Sequence, residues 1–155
     1  MTRRIVQRGV AAGLAGGAAE IAWVAAYSGI TATPAAPVAR GVTTALFPAL
    51  GTLPAAPAIG IALHMVLAIG LGIAVATALR APLLRMIAGW SQSLLVVAVL
   101  GAVWSFNFLV LLPTLDPAFL TLLPIGVTLA SKLLFGVSAA AVLRTPRTAG
   151  AFQAS

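Results

Sequence analysis

The sequence predicts an all-α membrane protein: a four-transmembrane-helix up-and-down bundle with both termini in the cytoplasm. Three observations carry that expectation. Hydrophobic residues make up 61% of the 155-residue chain and charged residues only 7%, with a mean hydropathy of +1.12. A soluble domain carries about 25% charged residues, so this composition cannot build a water-facing surface. Four apolar runs each reach the ~20 residues of helix needed to cross a ~30 Å hydrocarbon core. The basic residues are also divided unequally between the two sides that four crossings would create.

In chain order the expected spans are residues 9–30, 58–79, 88–112 and 118–143, within a single membrane domain of residues 1–155. The first follows Arg3, Arg4 and Arg8. Its apolar run is longer than the ~7–15 residues of a signal-peptide core and contains Glu20, so it reads as a retained helix rather than a cleaved leader. Residues 31–57 form an extracytoplasmic loop in which Pro34, Pro37, Pro48, Pro54 and Pro57 exclude a long regular helix. Its middle, residues 38–50, is apolar enough for a short interfacial or re-entrant helix. The second connection holds Arg80, Pro82 and Arg85, followed by Trp90 at the interface. The third is a tight turn, Pro113-Thr-Leu-Asp-Pro117, with Asp116 placed to cap the next helix. A short polar tail follows Arg144 and is expected to be disordered.

Arg3, Arg4, Arg8, Arg80, Arg85, Arg144 and Arg147 fall on one side of a four-span chain, and only Arg40 on the other. Short loops rich in Lys and Arg stay in the cytoplasm, so both ends are expected inside a bacterial inner membrane. The formal charge of +7 is thereby explained as membrane anchoring, and no nucleic-acid partner is expected.

Cysteine is absent, which removes disulfides, thiolate nucleophiles and Cys-ligated metal centres. No phosphate-binding glycine loop, nucleophile motif or catalytic carboxylate pair is present, and no enzymatic activity or cofactor is expected. The one histidine, His64, has no neighbour at ligand spacing that would complete a zinc site, so no metal is expected.

Within lipid, small residues that let backbones approach closely mark the packing faces of helices. Gly9, Gly13 and Gly17 recur every fourth residue and lead to Glu20, with Trp23 and Tyr27 beyond. The second span repeats the pattern with Gly60, His64, Ala68, Gly72 and Ala76, and the fourth with Thr128, Lys132, Gly136 and Ala140. Gly101 and Ser105 make a shorter version in the third. Glu20, His64 and Lys132 thus each lie on the small stripe of their own helix, away from lipid, where a charge would cost several kcal/mol. At 1.5 Å per residue Glu20 and Lys132 both sit roughly 16 Å from their cytoplasmic ends, so an ion pair between neighbouring first and fourth helices is expected. His64 enters about 10 Å from the outer face on the same arithmetic. There it is grouped with Asn107 and Tyr27 in an outer polar cluster lined by Trp23 and Trp104.

The opening Gly13-Leu-Ala-Gly-Gly17, His64 early in the second span and Leu129-Ala-Ser-Lys-Leu-Leu-Phe-Gly136 late in the chain resemble small bacterial inner-membrane proteins of the YagU-like kind. That resemblance implies an inner-membrane location and a link to acid tolerance; it supplies no catalytic residue.

Three functional expectations remain. The favoured one is a non-enzymatic protein acting by association in the bilayer, as a homo-oligomer or an accessory subunit of a larger membrane complex. The second is a small proton-linked channel or transporter using Glu20, His64 and Lys132. The third is a membrane redox anchor in which His64 ligates a haem shared with a second subunit.

Overall fold

The computed structural model describes residues 2–81 and 90–144. Arg85, Arg147, the expected disordered tail and the first two residues of the expected third span lie outside the described residues. Four helices are long and apolar enough to cross a membrane, and no strand occurs among the described residues. They are α1 (Thr2–Ile30), α3 (Ala56–Ala78), α4 (Trp90–Leu115) and α5 (Ile125–Arg144), with a shorter α2 (Ala35–Leu46) between the first two.

Helix α1 extends seven residues N-terminal to the expected span. Its first turns are therefore helical and carry Arg3, Arg4 and Arg8 on the helix itself. Helix α2 begins after Pro34 and tolerates Pro37 because that residue falls in the first turn, where the backbone N–H has no intrahelical partner. Its buried Thr43 faces the start of α3, its buried Gly41 faces Phe119 and Leu122, and Gly60 lets the Ala39 carbonyl come within contact of the α3 backbone. Arg40 closes the segment by donating through Nη1 to Gly51 O (2.5 Å) and Leu53 O (3.1 Å), while Thr43 Oγ1 donates to Ala56 O at 2.6 Å.

Helix α4 contains a π-helical stretch, Asn107–Leu111, in which the Leu112 N–H donates to Asn107 O. The cause is Pro113, which lacks the N–H that would have bonded the Leu109 carbonyl and whose ring crowds that carbonyl, so the turn before it widens. The fourth helix long and apolar enough to cross begins at Ile125 rather than at residue 118. Pro117 starts a short 3-10 turn, Pro117–Thr121, capped by Asp116 Oδ1 accepting from the Phe119 N–H at 3.3 Å. Pro124 then disfavours helical backbone at the residue before it and resets the chain direction.

Packing order across the molecule is α3, α1, α5, α4. Helices α3 and α4 share no packed interface among the described residues, so the four helices form an open row with α1 and α5 at its centre, not a closed ring. The glycines explain why α1 is central. A Cβ at Gly9 would lie 2.5 Å from Ile73 Cα, one at Gly13 would strike the Ala68 carbonyl, and Gly72 returns the approach against the Gly9 and Gly13 backbone. Gly17 meets Ala68 and Met65 on the same side. On its other side, Gly16 seats the Phe135 ring of α5, which is fully buried. Gly136 lies against Val97 at the α5–α4 contact. Close backbone approach maximises dispersion contact, which replaces the hydrophobic effect as the force between helices in lipid.

Candidate functional site

Glu20, on the buried face of α1, is 5% exposed. It points between the two helices that flank α1 and meets one ionisable residue from each. Lys132 Nζ of α5 lies 2.7 Å from Glu20 Oε1, a charge-assisted hydrogen bond of ordinary length. His64 Nε2 of α3 lies 3.5 Å from Glu20 Oε2. The Lys132 ammonium also sits 5.0 Å from the centroid of the Phe135 ring, one helical turn along α5, which adds a cation–π contact to the ion pair. The backbone of Gly17 lies against the imidazole from the α1 side.

The arrangement follows from the sequence by simple spacing. Glu20 comes three residues after Gly17, which faces α3, and four after Gly16, which faces α5. A side chain at that position stands at the seam of both interfaces. Counted from the helix ends, Glu20 is ten residues from Ile30 and His64 eight from Ala56, depths of about 15 and 12 Å from that side of the row. The expected second span started two residues later, which helped to separate His64 from the carboxylate on paper.

The two halves of the triad are not equivalent. Glu20 Oε1 has its partner in Lys132. Glu20 Oε2 and His64 Nε2 are both buried and neither has a hydrogen-bond partner, although they face each other. The trio is also not sealed: the His64 side chain is 26% exposed and that of Lys132 17%.

The residues grouped with His64 in the sequence lie elsewhere. Trp23 Nε1 donates to Val127 O at 3.0 Å and ties α1 to the first turn of α5. Trp104 is buried in α4; its Nε1 donates to Thr128 Oγ1 at 3.1 Å, and its ring stacks on Phe108 with centroids 5.5 Å apart. Asn107, half-buried, opens the π-helical stretch and supplies its carbonyl to it. Tyr27, half-buried, accepts at its carbonyl from Thr31 at the end of α1. His64 and Asn107 belong to α3 and α4, the two ends of the open row, so the cluster divides: His64 joins Glu20, and Trp104 joins the start of α5. Thr128, which the sequence marked only as part of a stripe, is the hydroxyl that receives Trp104 and itself donates to Ile125 O at 2.8 Å. Among the described residues no group of three His, Cys, Asp or Glu side chains is placed to hold a metal.

Comparison with known proteins finds no family model, no curated protein and no solved structure that matches this chain.

Proposed function

We propose that this chain is a non-enzymatic, multi-pass protein of a bacterial inner membrane that handles protons at the Lys132–Glu20–His64 triad, as a small proton-linked channel or transporter. The seven-to-one division of arginines supports cytoplasmic placement of both termini. One observation carries the reading: a third ionisable group, His64, is aimed at a carboxylate oxygen that the ion pair leaves unpartnered. Neutralising a buried lysine takes one carboxylate, and Glu20 Oε1 already does so at 2.7 Å. A mere lock between helices has no need of the imidazole.

The chemistry of the 3.5 Å gap is that of a missing proton. A neutral ring with its hydrogen on Nδ1 turns a bare lone pair toward the Glu20 carboxylate, and the two repel. One added proton makes Nε2 a donor, and the gap contracts toward the ~2.7–2.9 Å of a charge-assisted bond. Protonated His64 then competes with Lys132 for the same carboxylate, and three helices feel the change because each member sits on a different one. The test is proton flux in liposomes loaded with a pH-sensitive dye. Wild-type protein is expected to collapse an imposed pH gradient faster than empty liposomes, and His64→Ala, inserted to the same level, to lose most of that flux. A variant as fast as wild type, or a wild type no faster than empty liposomes, overturns the reading.

A second reading, association as a homo-oligomer or accessory subunit, draws on a different observation. Only 11% of the most apolar stretch of α4 is buried, and Gly70 of α3 and Gly101 of α4 face open space. Both ends of the row therefore present small-residue faces of the kind that pack helices in lipid.

A further inference from the structure

Both Asp and Glu residues of the chain are accounted for far from Arg3, Arg4, Arg8, Arg80 and Arg144. Glu20 is held at mid-depth by Lys132, and Asp116 caps the 3-10 turn at the end of the row where α2 lies. Five arginines converge on the opposite end, while Arg40 stays with α2. Gly9 against Ile73 and Gly13 against Ile69 fix the antiparallel register of α1 and α3, which brings Arg3 and Arg4 level with Leu79 and Ala78, at the end of α3 that leads into Arg80. Gly16 against Phe135 and Glu20 against Lys132 fix the register of α1 and α5, which brings Arg8 level with Arg144. Three packed helix ends thus carry Arg3, Arg4, Arg8, Arg80 and Arg144 within a band of roughly two helical turns. Arg3, Arg4, Arg80 and Arg144 are exposed. The nearest acid, Glu20, is twelve residues up the helix from Arg8, or ~18 Å. Trp90, 76% exposed, stacks on the Arg144 guanidinium at 4.3 Å. A tryptophan in that setting sits at the headgroup level of a bilayer, and the guanidinium goes with it.

We propose that this collar binds the phosphate groups of anionic phospholipids, preferring them to zwitterionic lipid around the ends of α1, α3 and α5. The charge of the occupant is set by the exposed Arg3, Arg4, Arg80 and Arg144, beside which no Asp or Glu stands among the described residues. Its chemistry is set by the depth, where lipid phosphates are the anions at hand. Each arginine near an anionic surface is worth about fivefold in partition, so the preference is steep in the number of arginines.

The test uses full-length protein in nanodiscs of equal phosphatidylglycerol and phosphatidylcholine, released for native mass spectrometry. Retained lipid is expected to be mostly phosphatidylglycerol. Arg3→Gln, Arg4→Gln and Arg80→Gln are expected to reduce the preference about fivefold each. These residues are exposed, and wild-type protein in 1 M salt, expected to lose the preference, provides a readout that needs no variant. Equal retention of the two lipids, a preference indifferent to salt, or one unchanged in the triple variant overturns the proposal. So does full competition by millimolar inorganic phosphate, which would assign the collar to soluble anions.

Discussion

Glu20 is the residue on which the molecule turns, because it meets an ionisable side chain on each flanking helix. Breaking a buried pair by removing one partner typically costs about 3–5 kcal/mol, since the other charge is stranded. Glu20→Gln and Lys132→Met are therefore each expected to destabilise the folded chain by that order in detergent unfolding experiments. The double variant Glu20→Gln/Lys132→Met is expected to recover most of the loss, because neither charge remains. Failure of the double variant to recover would mean that the pair contributes by its geometry and not by mutual neutralisation. His64 stands apart from this arithmetic: its atom facing Glu20 has no bond to lose, so His64→Ala is expected to spare stability while abolishing flux. Of these three residues the sequence made the pair legible, because equal depth on neighbouring helices is a matter of counting. It did not make the third partner legible, because a shift of one helical turn at an uncertain span end moves a side chain out of reach of another.

At the scale of the element, the glycines of α1 and α3 and those of the outer faces make opposite predictions. Gly13→Val is expected to separate α1 from α3, since the added carbons would strike backbone at Ala68 and Ile69, which cannot move aside. Gly101→Leu enters open space among the described residues and is expected to leave the monomer's thermal stability unchanged. If α4 is covered by a second copy, Gly101→Leu is instead expected to dissociate it, and mass measurement in mild detergent reads that outcome directly. A monomeric wild type removes self-association as the role of this face. The small-residue stripe in α4 was visible in the sequence together with those of α1 and α3, yet at Gly101 it meets no partner among the described residues. A four-residue spacing records that a helix can be approached closely, not which helix approaches. Helix α4 also holds the least predictable local structure. Pro113 is plain in the sequence, but whether its strain is relieved by a kink or by the widened Asn107–Leu111 turn depends on the packing of Trp104 and Phe108 beside it.

For the molecule as a whole, absence of cysteine makes topology directly testable, because any introduced thiol is the sole one. Thr52→Cys, in the exposed segment after α2, is expected to react with a membrane-impermeant maleimide in intact cells. Thr2→Cys and Ser155→Cys are expected to react only after permeabilisation. The reverse pattern would place the arginine collar outside and overturn the cytoplasmic assignment of both termini. What the sequence determined by itself is that four helices are long and apolar enough to cross a membrane, their all-α character among the described residues and the uneven distribution of arginines along the chain. These follow from composition and run length, since a backbone in lipid must satisfy its own hydrogen bonds and an apolar run of twenty residues does so as a helix. What only the tertiary structure decided is the order of the row, with α1 between α3 and α5. From that order comes the convergence of Lys132 and His64 on one carboxylate. Helix neighbours in lipid are chosen by shape, through glycines meeting backbone and a ring meeting a glycine, and shape complementarity belongs to pairs of surfaces that one sequence read along its length does not bring together.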